Sequence, residues 1–143
     1  MIEIIPNLWI GDIGDANNNM GLNGKGITAI VNISKGMQNV KVKYEHSIPI
    51  NGENADRVEE LYRYALSVTE IIDNYLISNI KVLVCCENGR QLSPTVVACY
   101  LIKYGLMEQD VAVTAIKTKY ANAFLPNNVF TNTLNMFYNL VNK

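Results

Sequence analysis

Val82-Leu83-Val84-Cys85-Cys86-Glu87-Asn88-Gly89-Arg90-Gln91-Leu92-Ser93-Pro94-Thr95 is the stretch from which the rest of the chain is best approached. The residues leading into it, Ile80 to Cys85, are β-branched and apolar almost without a break, the pattern of a strand buried on both faces. The chain then turns polar around Gly89 and enters an apolar segment that predicts a buried helix over 95–104, with Ser93 as N-cap and Pro94 at the first helical position. A strand that feeds a tight glycine-bearing loop and leaves through a helix N-terminus gathers backbone N–H groups around one point. The positive end of the helix dipole faces the same point, so the segment suits a tetrahedral oxyanion. Cys86, at the strand end, falls on the floor of that cradle, where a thiolate is favoured. The same local pattern also describes a buried cysteine before an ordinary loop, and these residues alone leave both readings open.

Outward from the loop, strands and helices alternate. Ile2 to Ile5 and Leu8 to Gly11 predict two short strands with Pro6-Asn7 as the turn between them. Residues 15–23 predict a short helix ended by Gly24 or Gly26, and Ile27-Thr28-Ala29-Ile30-Val31-Asn32-Ile33 a buried strand. A further strand is expected over 44–50, before the loop Asn51-Gly52-Glu53-Asn54. Val58, Leu61, Tyr62, Ala65, Val68, Ile71, Ile72 and Tyr75 then recur at intervals of three and four, one face of a long amphipathic helix. Helices are also expected over 108–119 and 127–141, the latter marked by Pro126. The expectation is an α/β fold, a single domain over 1–143 with a central mixed sheet flanked by helices.

Composition narrows the function. The chain has 143 residues, 49% of them hydrophobic, and a net charge of −1. The length suits one core, and the charge balance excludes the basic surplus of a nucleic-acid binder. No apolar run approaches the roughly 18 residues of a membrane span, and 1–7 lacks the basic start and apolar stretch of a signal peptide. Three cysteines, two of them adjacent, make a poor disulfide framework, so a cytoplasmic or nuclear setting is expected. No His, Cys or carboxylate cluster has metal-ligand spacing, and no cofactor motif is present.

The loop resembles that of the dual-specificity branch of the cysteine-dependent protein phosphatases, written His-Cys-x-x-Gly-x-x-Arg-Ser/Thr. Cys86, Gly89, Ser93 and the following Pro94-Thr95 fall in register with it. Asn7-Leu8-Trp9-Ile10-Gly11 resembles the family's opening strand, and Gly26-Ile27-Thr28-Ala29-Ile30-Val31-Asn32-Ile33 its Gly-Ile-Thr strand. Residues 44–50 resemble the strand before its acid loop, while Leu106-Met107-Glu108 and Leu125-Pro126-Asn127 resemble its two late helix starts. The resemblance covers nearly the whole chain. It implies the phosphatase fold, Cys86 as nucleophile, and a phosphate loop of Cys86, Glu87, Asn88, Gly89, Arg90, Gln91, Leu92 and Ser93.

Three departures bear on activity. The family's arginine, which forks two N–H bonds onto the phosphoryl oxygens, is Leu92 here. Supplying such an arginine is worth roughly 10³–10⁵ in rate in other phosphoryl-transfer systems. The general-acid aspartate is replaced by Gly52, a loss of roughly 10²–10⁴. Cys85 stands where the family has the histidine that orders the loop, and Glu87 places a carboxylate beside Cys86. Together the first two losses amount to roughly 10⁵–10⁹, an upper range because such effects are not additive. The expectation is therefore a pseudophosphatase that binds a protein partner, phosphorylated or not, without nucleic acid or membrane. Two other readings stay open. One is a slow phosphatase using Cys86 with Arg90 and Glu53 as stand-ins; the other is redox sensing through the Cys85-Cys86 pair. His46, the only histidine, matches no family catalytic position, and Tyr120 is expected in the core or at its rim.

Overall fold

Alternating and continuous apolar runs become strands, and the three-four repeats become helices. The computed structural model describes residues 1–36, 38–52 and 54–143. Five strands, β1 (Ile2–Ile5), β2 (Leu8–Asp12), β3 (Ile27–Asn32), β4 (Tyr44–Ser47) and β5 (Lys81–Cys86), form one mixed sheet in the order β1-β2-β5-β3-β4. Only β1 runs antiparallel to its neighbour, β2; the β2–β5, β3–β5 and β3–β4 pairs are parallel. The most apolar strand, β5, is thus at the centre, and both its neighbours point the same way. Ligand sites of parallel sheets lie beyond the carboxyl ends of such strands, and Cys86 is the last residue of β5.

The two faces are covered unequally. Helices α3 (Val58–Ile77), α4 (Leu92–Lys103), α5 (Gln109–Lys119) and α6 (Thr131–Val141) bury the larger core with Ile10, Val31, Val84 and Cys86. The opposite face carries a smaller cluster of Trp9, Ala16, Leu22, Ile27, Ile30, Leu83 and Cys85 beneath α1 (Ile13–Ala16) and α2 (Asn19–Lys25). Helix α4 packs against α3, α5 and α6, and its residues from Leu92 to Ile102 are all buried. This accounts for its apolar character all round. No helix among the described residues is long and apolar enough to cross a membrane.

The single helix expected over 15–23 is two. Asp12 and Asp15 form a reciprocal capping box that starts α1, and Asn18 accepts from the Gly21 amide at 3.0 Å to start α2. Asn and Asp compete for backbone N–H groups, so a polar run rich in them divides the helix. Strand β4 is shorter than 44–50 because Pro49 has no N–H for a ladder, although Ile48 and Ile50 remain buried. The 3-10 turn Ala55–Arg57 precedes α3. Helix α6 starts at Thr131 rather than at 127. The carbonyls of Leu125 and Asn127 are held instead by a side chain of the loop after β5.

Candidate functional site

Cys86 leaves β5 fully buried, and its Sγ lies 3.2 Å from Ser93 Oγ. The Ser93 amide donates to the same sulfur at 3.4 Å, and the Ser93 hydroxyl donates to the Gly11 carbonyl at 3.4 Å. Ser93 is therefore not the N-cap expected for α4. The helix begins one residue earlier, at Leu92, and Gln91 is its N-cap residue without a side-chain cap bond. Ser93 has turned its hydroxyl inward, to the thiol and to β2. Pro94 sits in the first turn, where its missing N–H removes no intrahelical bond.

Gly89 makes the turn possible. Its φ is +74°, and a Cβ there would meet the Tyr120 hydroxyl at 2.7 Å and the Gly11 carbonyl oxygen at 3.1 Å. Both the backbone angle and the close approach of β2 call for glycine. Tyr120, at the end of α5, thus reaches the loop. Burial first, then the charges of Cys86, Asp12 and Asp15, push its phenol up to about 12, while Arg90 pulls it down.

Leu92 and Gly52, 40 residues apart in sequence, meet at one cleft. Ser34, Ile50, Gly52, Glu87, Asn88 and Leu92 line a cavity of about 170 Å³. Leu92 is 1% exposed and belongs to the main core. Gly52 has a φ of +91°, a backbone angle that favours glycine, and among the described residues beyond its chain neighbours a Cβ there would find only the Asn54 side-chain amide nitrogen, at 3.7 Å. Ser34 is fixed beside it by a short network: its hydroxyl donates to Asn32 Oδ1 at 2.9 Å and accepts from the Gly36 amide at 3.1 Å.

Of the two stand-ins, Arg90 alone lies among the described residues. Arg90 is exposed and does not line the cleft; its backbone amide donates to Asn88 Oδ1 at 3.0 Å. Glu53 lies outside the described residues. His46 is on the edge strand β4, opposite Val31. The alternative reading of redox sensing through the Cys85-Cys86 pair is not favoured either, for a reason already present in strand geometry. Successive side chains point to opposite faces. Cys85 packs with Trp9 and Leu22 under the small cluster, whereas Cys86 belongs to the main core. Burial, then Cys86, Asp12 and Asp15, push the Cys85 thiol strongly upward. No group of three or more metal-ligating side chains is present among the described residues.

Gln91, expected as a member of the phosphate loop, has a role that its sequence neighbours do not signal. It is 4% exposed, and its amide nitrogen donates to the carbonyls of Leu125 at 3.0 Å and Asn127 at 2.8 Å. Its amide oxygen accepts from the Val129 amide at 3.2 Å. The loop after β5 is thereby tied to the α5–α6 connection. Nothing local signals this, because the partners lie 34 to 38 residues away. Replacing Gln91 by Ala removes the side-chain partner of three part-buried backbone groups and is expected to cost about 1–2 kcal/mol in denaturant unfolding. A loss under about 0.5 kcal/mol would mean that the strap carries no strain-free bonds.

A strand-end cysteine, a left-handed glycine and a helix start beyond the carboxyl edge of a parallel sheet define the cysteine-phosphatase class of fold. Residues 8–140 match the dual specificity phosphatase, catalytic domain family, and the chain belongs to it. Mouse dual specificity protein phosphatase 2 is 29% identical over 120 residues, covering 82% of this chain and 37% of that protein. The chain thus spans about a third of the length of the curated relatives it matches. Among solved structures, human DUSP28 superposes with a TM-score of 0.87 at 22% identity, covering 99% of this chain and 95% of that one. The human tyrosine phosphatase-like serine/threonine/tyrosine-interacting protein does so with a TM-score of 0.86 at 23% identity, covering 98% and 96%.

Proposed function

We propose that this dual specificity phosphatase domain is a pseudophosphatase, a binding module for a protein partner, phosphorylated or not. One observation carries the reading: Leu92, in the place of the family's arginine, is buried in the cleft that Gly52, in the place of the acid, also lines. A leucine side chain offers neither the forked N–H pair nor the charge that a phosphoryl transition state calls on. Glycine offers no proton to the leaving group. In this reading Cys86 is a vestigial nucleophile, and Cys85 replaces the histidine as core packing. The loop from Cys86 to Ser93 keeps its shape through Gly89, Gln91 and the α4 N-terminus. One similar structure is that of a protein named as tyrosine phosphatase-like and interacting, a precedent for a binding role on this fold. The thiols Cys85, Cys86 and Cys99 are buried and not disulfide-bonded, which suits a cytoplasmic or nuclear setting.

Turnover of an aryl phosphate by the purified chain, compared with Cys86→Ser, tests this directly. The two proteins are expected to give the same background rate, and inorganic phosphate to bind with millimolar affinity or weaker, on the order of 4 kcal/mol or less. A rate on phosphopeptides within tenfold of an active relative, abolished by Cys86→Ser, would sink the reading.

A further inference from the structure

The cleft between Gly52 and Leu92 is small. Its floor is apolar, from Ile50 and Leu92, each 1% exposed. Its polar lining residues are Ser34, Glu87 and Asn88, and no lysine or arginine lines it among the described residues. Glu87 is exposed and has no ion-pair partner among those residues. The nearby cations are committed or turned away. Arg57 holds the Asn51 carbonyl at 2.8 Å and pairs with Glu60 at 3.4 Å. Arg90 and Lys35 are exposed, and neither lines the cavity.

We infer that this cleft accepts an arginine side chain of the protein partner, its aliphatic stem against Ile50 and Leu92 and its guanidinium on Glu87. The inference rests on the binding-module reading above and names the ligand chemistry of that site. Charge complementarity decides between candidates. Against the family's loop, Leu92 in place of arginine removes a cation and Glu87 brings a carboxylate, so the balance left by the backbone N–H groups shifts away from phosphate and toward a cation. A guanidinium fits better than an ammonium, because it is weakly hydrated, tolerates an apolar floor, and matches a carboxylate through two parallel N–H bonds. The cavity, about 170 Å³, has the room of about five or six water molecules. That accommodates the end of one side chain and not a folded segment.

The test uses the full chain, isotopically labelled, with n-butylguanidinium, n-butanol and inorganic phosphate titrated separately while the amide resonances of Gly52, Glu87 and Asn88 are followed. Butylguanidinium is expected to shift all three, with an affinity at least about threefold tighter than butanol or phosphate, the scale of one solvent-accessible ion pair. Glu87→Gln is expected to remove that advantage while leaving the butanol response unchanged. Phosphate binding more tightly than butylguanidinium would overturn the inference, as would equal responses to butylguanidinium and butanol or an unaltered guanidinium affinity in Glu87→Gln. Cys86-dependent turnover would instead overturn the reading beneath it. Because turnover and titration are measured separately, the two failures are distinguishable.

Discussion

Leu92→Arg is expected to tighten the binding of inorganic phosphate by roughly 10–100-fold, the worth of charge-assisted hydrogen bonds to a held anion. Position 92 is the first residue of α4 and lines the cleft, so a side chain there is aimed at the cradle from the helix start. The exchange gives up a leucine that is 1% exposed in the main core, and the variant is expected to lose about 2 kcal/mol of stability. Adding Gly52→Asp supplies a proton donor from the facing wall, where no atom of the described residues beyond its chain neighbours lies closer than 3.7 Å to a new Cβ. The φ of +91° there costs a non-glycine residue roughly 1–2 kcal/mol. The pair is expected to raise aryl phosphate turnover by roughly 10²–10⁴ over the parent chain. The gain should be cooperative, since an acid does little for a substrate that is not held. A third exchange, Cys85→His, is not expected to help. Cys85 packs on the far face of β5 among Trp9, Leu22 and Leu83, and an imidazole there overfills the small cluster. Calorimetry with phosphate and a coupled turnover assay check both steps. A folded double variant with neither tighter binding nor turnover would show that the loop is not a disabled phosphatase cradle.

Gly89→Ala is expected to destabilise the domain by about 3–4 kcal/mol, the largest loss from a single methyl group anywhere in the loop. Two costs combine. A non-glycine residue at a φ of +74° costs roughly 1–2 kcal/mol. The added Cβ also meets the backbone of β2 at Gly11, carbonyl oxygen at 3.1 Å and carbon at 3.2 Å, and backbone in a central sheet cannot yield as a flexible side chain would. The Tyr120 hydroxyl, at 2.7 Å from the same point, must move as well. Tyr120→Phe in the Gly89→Ala background should therefore recover part of the loss, about 1 kcal/mol, and not all of it. Equilibrium unfolding of the four proteins in a double-mutant cycle measures this coupling. Full stability in Gly89→Ala would mean that the loop does not hold its close approach to β2.

Much of the architecture was legible because its signals are contiguous. Ile27 to Ile33 and Ile80 to Cys85 are unbroken apolar runs, and the three-four repeat from Val58 to Tyr75 has a long helix as its only good packing solution. The errors fall where polar side chains compete for backbone groups. Asn18 restarts a helix inside 15–23, Ser93 faces Cys86 rather than capping α4, and Gln91 holds the chain that delays α6 to Thr131. The placement of Cys85 and Cys86 on opposite faces was implicit in the two-residue period of a strand.

The sequence by itself determined the α/β pattern, the cysteine at the end of the central strand, the glycine in the loop, and the absence of an arginine at 92 and of an acid at 52. Each is a matter of residue identity or local period, so no long-range contact is needed to see it. The tertiary structure alone decided that Leu92 and Gly52 line one cleft with Glu87, that Gln91 straps the loop to residues more than 30 positions away, and that Tyr120 closes against Gly89. Those facts depend on how the sheet order and helix packing bring distant segments together. A side chain's partners across such distances are set by the whole core and not by its neighbours in the chain.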